Sequence, residues 1–215
     1  LVGSEMCIRD RSVVIDEDVL AKAREAGDLL PLHGAAFLYG IDAITELLPK
    51  VKQVATFDSS FHQSMKKEAF LYAIPLDQYE KHKIRRYGFH GTSHKYVAEE
   101  AAKMLGYKGK FISCHLGGGA SVTAIENGRS VDTSMGFTPM AGMIMGTRCG
   151  DIDPYIPLHI MKTQNMTADE VNAMLNKESG WYGLTRGYTD LRDIEEQYLE
   201  GNQDAITAVD VYVHA

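Results

Sequence analysis

Phosphoryl chemistry is suggested first by the run His115-Leu116-Gly117-Gly118-Gly119-Ala120-Ser121. Glycines at such a turn let the backbone bend tightly and approach a ligand closely. Successive N–H groups there form an anion nest. Two readings stand side by side, a phosphate cradle and a glycine hairpin that holds nothing. The run is not a P-loop, because no Gly-Lys-Ser/Thr follows and the next element reads as a strand. A second run, Arg85-Arg86-Tyr87-Gly88-Phe89-His90-Gly91-Thr92-Ser93-His94, sets His90 just before a helix start. Unsatisfied N–H groups and the macrodipole favour an anion at that place, and a histidine there is able to donate to a phosphoryl oxygen. His90 and His94 also have the i, i+4 spacing of a zinc pair, but the zinc-protease pattern needs Glu where Gly91 stands. His94 reads as a helix-surface residue, and Arg85 and Arg86 as surface or sheet-edge charges.

Two further segments carry candidate side chains. In Gly146-Thr147-Arg148-Cys149-Gly150-Asp151-Ile152-Asp153-Pro154, an arginine between glycines presents a planar fork suited to phosphate or carboxylate. Asp151 and Asp153 fit turn and N-cap roles before Pro154 better than metal ligation. In Thr56-Phe57-Asp58-Ser59-Ser60-Phe61-His62-Gln63, Asp58 sits at the end of a predicted strand. That is a common catalytic position in α/β folds and also a common turn position. His33 reads by default as a core or surface histidine, and Cys149 as incidental.

The elements that must position these residues follow from periodicity and caps. Helices are predicted over 16–26, ended by Gly27, and over 36–48, stopped by Pro49. A strand is predicted over 51–57. Further helices fall over 75–82 and 93–105, the latter capped by Thr92 or Ser93 and closed by Gly106. Strands over 111–115, 121–125 and 130–133 are linked by the glycine turn and by Asn127-Gly128, a strong hairpin signal. Thr167 and Glu170 form a capping box, an amphipathic helix follows over 190–199, and another helix begins over 204–215. Residues 1–11 show neither period and do not begin with Met, so residues 1–12 are expected to be foreign or disordered. The last helix ends without a C-cap, as a fragment would. Mixed helices and tightly linked strands imply an α/β or α+β fold.

Composition excludes some classes. A net charge of −7 and a pI near 5.6 argue against a nucleic-acid binder, and no basic patch is interleaved with aromatics. No apolar run is long enough to span a membrane. Three cysteines without C-x-x-C spacing argue against a disulfide framework and fit a reducing cytosol.

Taken together and in order, these segments resemble the acetate kinase family. Phe57–Gln63 is similar to its F-D-T-A-F-H-Q segment, and Arg85–His94 matches R-R-Y-G-F-H-G-T-S-H throughout. His115–Ser121 resembles H-L-G-N-G-A-S, and Ser130–Pro154 resembles S-V-D-T-S-M-G-F-T-P…G-T-R-x-G-D-x-D-P. The resemblance implies a two-domain α/β fold of the acetate and sugar kinase/heat-shock protein/actin superfamily, ribonuclease H-like with βββαβαβα topology and incomplete here. Residues 13–62 would end the N-terminal domain, and residues 63–215 would begin the C-terminal one. It implies reversible phosphoryl transfer between ATP and acetate, giving acetyl phosphate and ADP. Mg²⁺ would bridge the nucleotide phosphates, with no metal ligand in this segment. His90 and Arg148 would stabilise the transferring group, and Asp58 would help position the carboxylate and its arginine partners. His115, Leu116, Gly117, Gly118 and Gly119 would hold the nucleotide phosphates, and Leu32, Phe89 and Pro139 would form the pocket for the acetate methyl. A cytoplasmic homodimer is implied as well.

The departures are specific. Gly118 stands where the family has Asn, Gly34 stands for Asn after His33, and Ala35 for Pro. The family's N-x-G-S-S-S loop, its H-G-G segment and its G-G-x-G-E-N element are not in this sequence, so the isolated polypeptide is expected to be inactive. A propionate or butyrate kinase and a non-catalytic nucleotide-binding fragment of the same fold are the alternatives.

Overall fold

The computed structural model describes residues 12–27 and 34–214, which fall into two compact units. One unit runs up to Phe111 and includes Ala124–Asp132; the other comprises Ile112–Thr123 and Thr133 onward.

In the first unit, β1 (Val13–Val14) pairs antiparallel with β2 (Val54–Ala55), Val13 opposite Ala55. The strand predicted over 51–57 is reduced to β2, because β1 offers only a short ladder to pair with. Helix α1 (Glu17–Gly27) follows Asp16, whose Oδ1 accepts the Val19 amide at 2.8 Å. Val19 is buried against Val13, Ile15, Leu38 of α2 (Gly34–Leu47) and Phe57. A 3₁₀ turn (Ser60–Ser64) leads to two short helices, α3 (Lys67–Phe70) and α4 (Asp77–His82). Helix α5 (Gly91–Leu105) closes at Gly106 in the left-handed conformation, as expected of a glycine stop.

Several expectations for this unit are corrected. Neither Thr92 nor Ser93 caps α5; the helix begins at Gly91 with His90 at the cap position. His94 is fully buried rather than on the surface, because Gly91, His94 and Ala98 share the inward face of α5. Arg85 is also buried, with its guanidinium 3.7 Å from the Phe70 ring centroid and 5.3 Å from that of Tyr87. Stacking on aromatic faces accommodates a planar cation that the sequence suggests should be exposed.

The sheet has the order β3 (Lys110–Leu116), β4 (Ala120–Glu126) and β5 (Arg129–Thr133). Links this short leave no room for a crossover, so neighbours run antiparallel. Asn127 and Gly128 have φ of 52° and 77°, the positive pair that a type I′ hairpin needs.

The remaining helices belong to the second unit: α6 (Tyr155–Gln164), α7 (Ala168–Lys177), α8 (Gly180–Thr185), α9 (Leu191–Leu199) and α10 (Gln203–His214). The predicted capping box of α7 forms, with Thr167 N–H donating to Glu170 Oε2 at 2.7 Å and Glu170 N–H to Thr167 Oγ1 at 3.3 Å. Its core gathers Trp181 of α8, Ile194 of α9, and Ala205 and Ala208 of α10, with the Tyr212 ring 4.6 Å from that of Trp181. Truncating such a tryptophan to alanine costs about 3–5 kcal/mol. Among the described residues, no helix is long and apolar enough to cross a membrane.

Candidate active site

In the first unit, Asp58 and His90 are brought together through the backbone. The His90 amide donates to Asp58 Oδ2 at 2.7 Å, and the Gly91 amide donates to the Asp58 carbonyl at 2.8 Å. His90 has φ 57° and ψ 21°, a left-handed conformation that costs a non-glycine residue about 1–2 kcal/mol. Such a residue persists only where its surroundings over-determine it. Gly91 must be glycine for a different reason: a Cβ would lie 2.2 Å from the Asp58 carbonyl oxygen. The Asp58 carboxylate is exposed, and the half-buried His90 ring stands at the start of α5, where backbone N–H groups and the helix dipole favour an anion.

Behind this lies His62, fully buried on the 3₁₀ turn. Its Nδ1 is 2.8 Å from Ser130 Oγ and its Nε2 is 2.9 Å from the Phe89 carbonyl oxygen. Burial pushes the imidazole below its ordinary basicity, opposed by the bond to the Phe89 carbonyl and by the charge of Asp58. Ser130 is fixed in turn, its carbonyl accepting from Ser64 Oγ at 2.7 Å. The His94 ring lies 5.9 Å from that of His62 and 6.5 Å from that of His90. His62 stands in the quoted Phe57–Gln63 run, yet the sequence gives it no role beside Asp58. The only local signal is a histidine between Phe61 and Gln63 in a polar turn.

In the second unit, the glycine turn and the Gly146–Arg148 loop are brought together. The Gly117 amide donates to the Gly119 carbonyl at 3.0 Å, closing the turn on itself, and the Gly146 amide donates to the Gly118 carbonyl at 3.0 Å. A Cβ at Gly146 would lie 3.2 Å from the Gly118 oxygen, so glycine there keeps the two loops close. The two segments line a cleft of about 520 Å³ together with Trp181, Thr189, Asp190 and Leu191. Asp190, absent from the sequence candidates, caps α9 through the Arg192 amide. Hydrogen bonds from Arg192 hold its carboxyl at about 2, so Asp190 places an anion at the cleft.

Arg148 Nη1 donates to the Pro139 carbonyl at 2.5 Å, which joins these two sequence candidates. Burial lowers the basicity of the guanidinium, though not enough for an arginine to lose its charge. Asp151 and Asp153 serve the backbone, as their turn reading suggests. Asp151 Oδ1 accepts from the Gly142 amide and Asp153 Oδ1 from the Tyr155 amide, each at 2.8 Å. Burial raises the Cys149 thiol. Leu32 and His33 lie outside the described residues. Among the described residues, no group of three or more His, Cys, Asp or Glu converges in a way that could hold a metal.

The arrangement offers a rigidly held histidine at a helix start and, in the other unit, an arginine beside a glycine cleft. Cationic and N–H donors of this kind stabilise charge on phosphoryl oxygens. A model of the acetokinase family matches residues 4–215. The acetate kinase of Alkaliphilus metalliredigens is 53% identical over 204 residues, which make up 94% of this chain and 52% of that protein. The acetate kinase of Geobacillus kaustophilus is 52% identical over 206 residues, covering 94% and 52%. Among solved structures, a propionate kinase from Francisella tularensis aligns with a TM-score of 0.92 at 44% identity, over 95% of this chain and 53% of that one. The Porphyromonas gingivalis acetate kinase aligns with a TM-score of 0.87 at 43% identity, over 94% and 52%. The chain thus spans about half the length of the curated relatives it matches.

Proposed function

Because the chain belongs to the acetokinase family, we propose that the protein containing it transfers a phosphoryl group reversibly between ATP and acetate. The observation that carries this reading is the Asp58–His90 clamp: a carboxylate fixes the backbone of a histidine at a helix start, 2.7 Å from amide to oxygen. In the proposed reaction His90 donates to an equatorial oxygen of the transferring group. Arg148, anchored through one nitrogen on Pro139, contributes positive charge to the same oxygens. Asp58 acts as a positioning residue through the His90 amide. The transition state is loose and carries spread charge, so fixed donors and correct placement supply most of the catalysis.

His115 to Gly119 is the proposed phosphate cradle, its backbone held against Gly146. Leu32, Phe89 and Pro139 are assigned to the wall around the carboxylate's alkyl group. Magnesium would enter with ATP as its counter-ion. Among the described residues no carboxylate cluster would hold the ion itself. A cytoplasmic homodimer, with a domain boundary near residue 62, completes the proposal.

Likeness to a propionate kinase structure favours a second reading in which the preferred acid carries one more methylene. The test is acyl phosphate formation by the full-length protein with ATP, Mg²⁺ and acetate, propionate or butyrate. Acetyl phosphate as the main product is expected. One methylene in an apolar pocket is worth roughly 1–3 kcal/mol, enough to separate the acids by kcat/KM. Nucleotide binding without turnover on any of them would overturn the reading in favour of a non-catalytic binder.

A further inference from the structure

The peptide unit between Phe89 and His90 is held at both of its polar ends by side chains from one short segment. Its carbonyl oxygen, on Phe89, lies 2.9 Å from His62 Nε2, and its N–H, on His90, lies 2.7 Å from Asp58 Oδ2. A carbonyl oxygen only accepts, so Nε2 of His62 carries the proton and Nδ1 accepts from the Ser130 hydroxyl. Full burial of His62 keeps water from competing for either bond. Rotation of this peptide plane would break one half-buried and one exposed hydrogen bond and change φ of His90, which stands at 57°.

We propose that His62 is a positioning residue for phosphoryl transfer. Its Nε2–H locks the Phe89–His90 peptide and so sets the direction of both flanking side chains. The inference rests on the reading above, which assigns Phe89 to the alkyl pocket and His90 to the transferring group. His62 touches neither substrate; it acts through one carbonyl. Asp58 and His62 are then two ends of one clamp, a carboxylate just before the 3₁₀ turn and a buried histidine on it.

Two isosteric variants of the full-length protein separate this role from simple packing. His62→Gln places an amide N–H near the position of Nε2, and His62→Asn places an acceptor near that of Nδ1. His62→Gln is expected to keep kcat near wild type. His62→Asn is expected to lose about 100-fold in kcat, the scale of an ångström-level misplacement, with the KM for ATP little changed, because the proposed role concerns the transferring group and not the nucleotide. Equal losses in both variants, or equal retention, would overturn the proposal and leave a packing role. A second measurement needs neither variant nor turnover. Long-range ¹⁵N–¹H correlations of the His62 ring at neutral pH should show the Nε2–H tautomer, and the Nδ1–H tautomer would overturn the proposal. Wild-type protein that forms no acyl phosphate, yet shows the Nε2–H ring, would sink the functional reading alone.

Discussion

Asp58 Oδ2 accepts the amide of His90 at 2.7 Å across a separation of 32 residues, so a carboxylate distant in the chain fixes the residue at which α5 begins. The carboxylate therefore serves the helix and the candidate site with one bond. Asp58→Ala removes it and frees a residue held in the left-handed region. The expected result is a loss of about 100-fold in kcat for acyl phosphate formation, with a smaller change in KM for ATP. Asp58→Asn, which retains an acceptor oxygen, should lose less. Steady-state kinetics on the full-length protein check both.

Gly91→Ala drives a methyl group into the Asp58 carbonyl, 2.2 Å from the ideal Cβ position. The neighbour is backbone, so relief requires moving the helix start. A destabilisation of about 1–3 kcal/mol is expected, seen as a lower urea midpoint by circular dichroism, together with reduced activity. A midpoint equal to wild type would contradict the tightness of this contact.

Much of the scaffold around these residues was legible in the sequence because it is written in local chemistry. Asn127-Gly128 marks a turn that only positive φ satisfies, Thr167 and Glu170 cap a helix reciprocally, and Gly106 stops one. The start of α5 was not legible. Asp58 meets the amides of His90 and Gly91 there, and nothing within a few residues of His90 announces a partner so far away in the chain. His94 is polar enough to suggest the surface, yet it is buried because Gly91, His94 and Ala98 repeat on one helical face. Arg85 is buried, against its charge, because its partners are ring faces contributed by Phe70 and Tyr87. Of the candidate site, residue identities were readable from motifs; the pairings His62 with Phe89, Arg148 with Pro139, and Gly118 with Gly146 required the fold.

Arg148→Lys tests whether a planar fork is needed. Arg148 is anchored on Pro139 through one terminal nitrogen, and the proposed role turns the rest of the guanidinium to a phosphoryl oxygen. Lysine keeps the charge but not the two-point geometry. A fall in kcat of about 10²–10³-fold is expected, the scale seen when one transition-state donor is removed. Unchanged kcat in the same assay would remove Arg148 from the proposed machinery.

Stability should depend on pH through His62. Its native basicity is depressed below the ordinary value of 6.5, chiefly by burial. Between the depressed and the ordinary value, the unfolded chain binds a proton that the native chain does not, so stability rises with pH. The contribution is fully present above the ordinary value and is lost as pH falls through the window below it. Urea midpoints of the full-length protein should therefore drop on acidification, and His62→Gln should flatten the slope. Parallel slopes for wild type and variant would show that other groups carry the dependence.

Gly118→Asn should be tolerated. A Cβ at Gly118 meets nothing within 4 Å, so stability should change by no more than about 0.5 kcal/mol. An added amide beside the cleft is expected to lower the KM for ATP while leaving kcat for acetate unchanged. A raised KM would argue that the turn needs its bare backbone.

The chain contains one tryptophan, and it occupies two places at once. Trp181 packs on Ile194, Ala205 and Ala208, and it also lines the cleft with Gly117, Gly118 and Gly146. The tryptophan fluorescence of this chain, excited at wavelengths where tyrosine does not absorb, therefore comes from a single indole shared by the helical core and the glycine turn. Quenching on addition of ADP would report occupancy of the cleft, and a red shift would report loss of the core. One emission spectrum thus separates filling the cleft from melting the helices behind it, without any label.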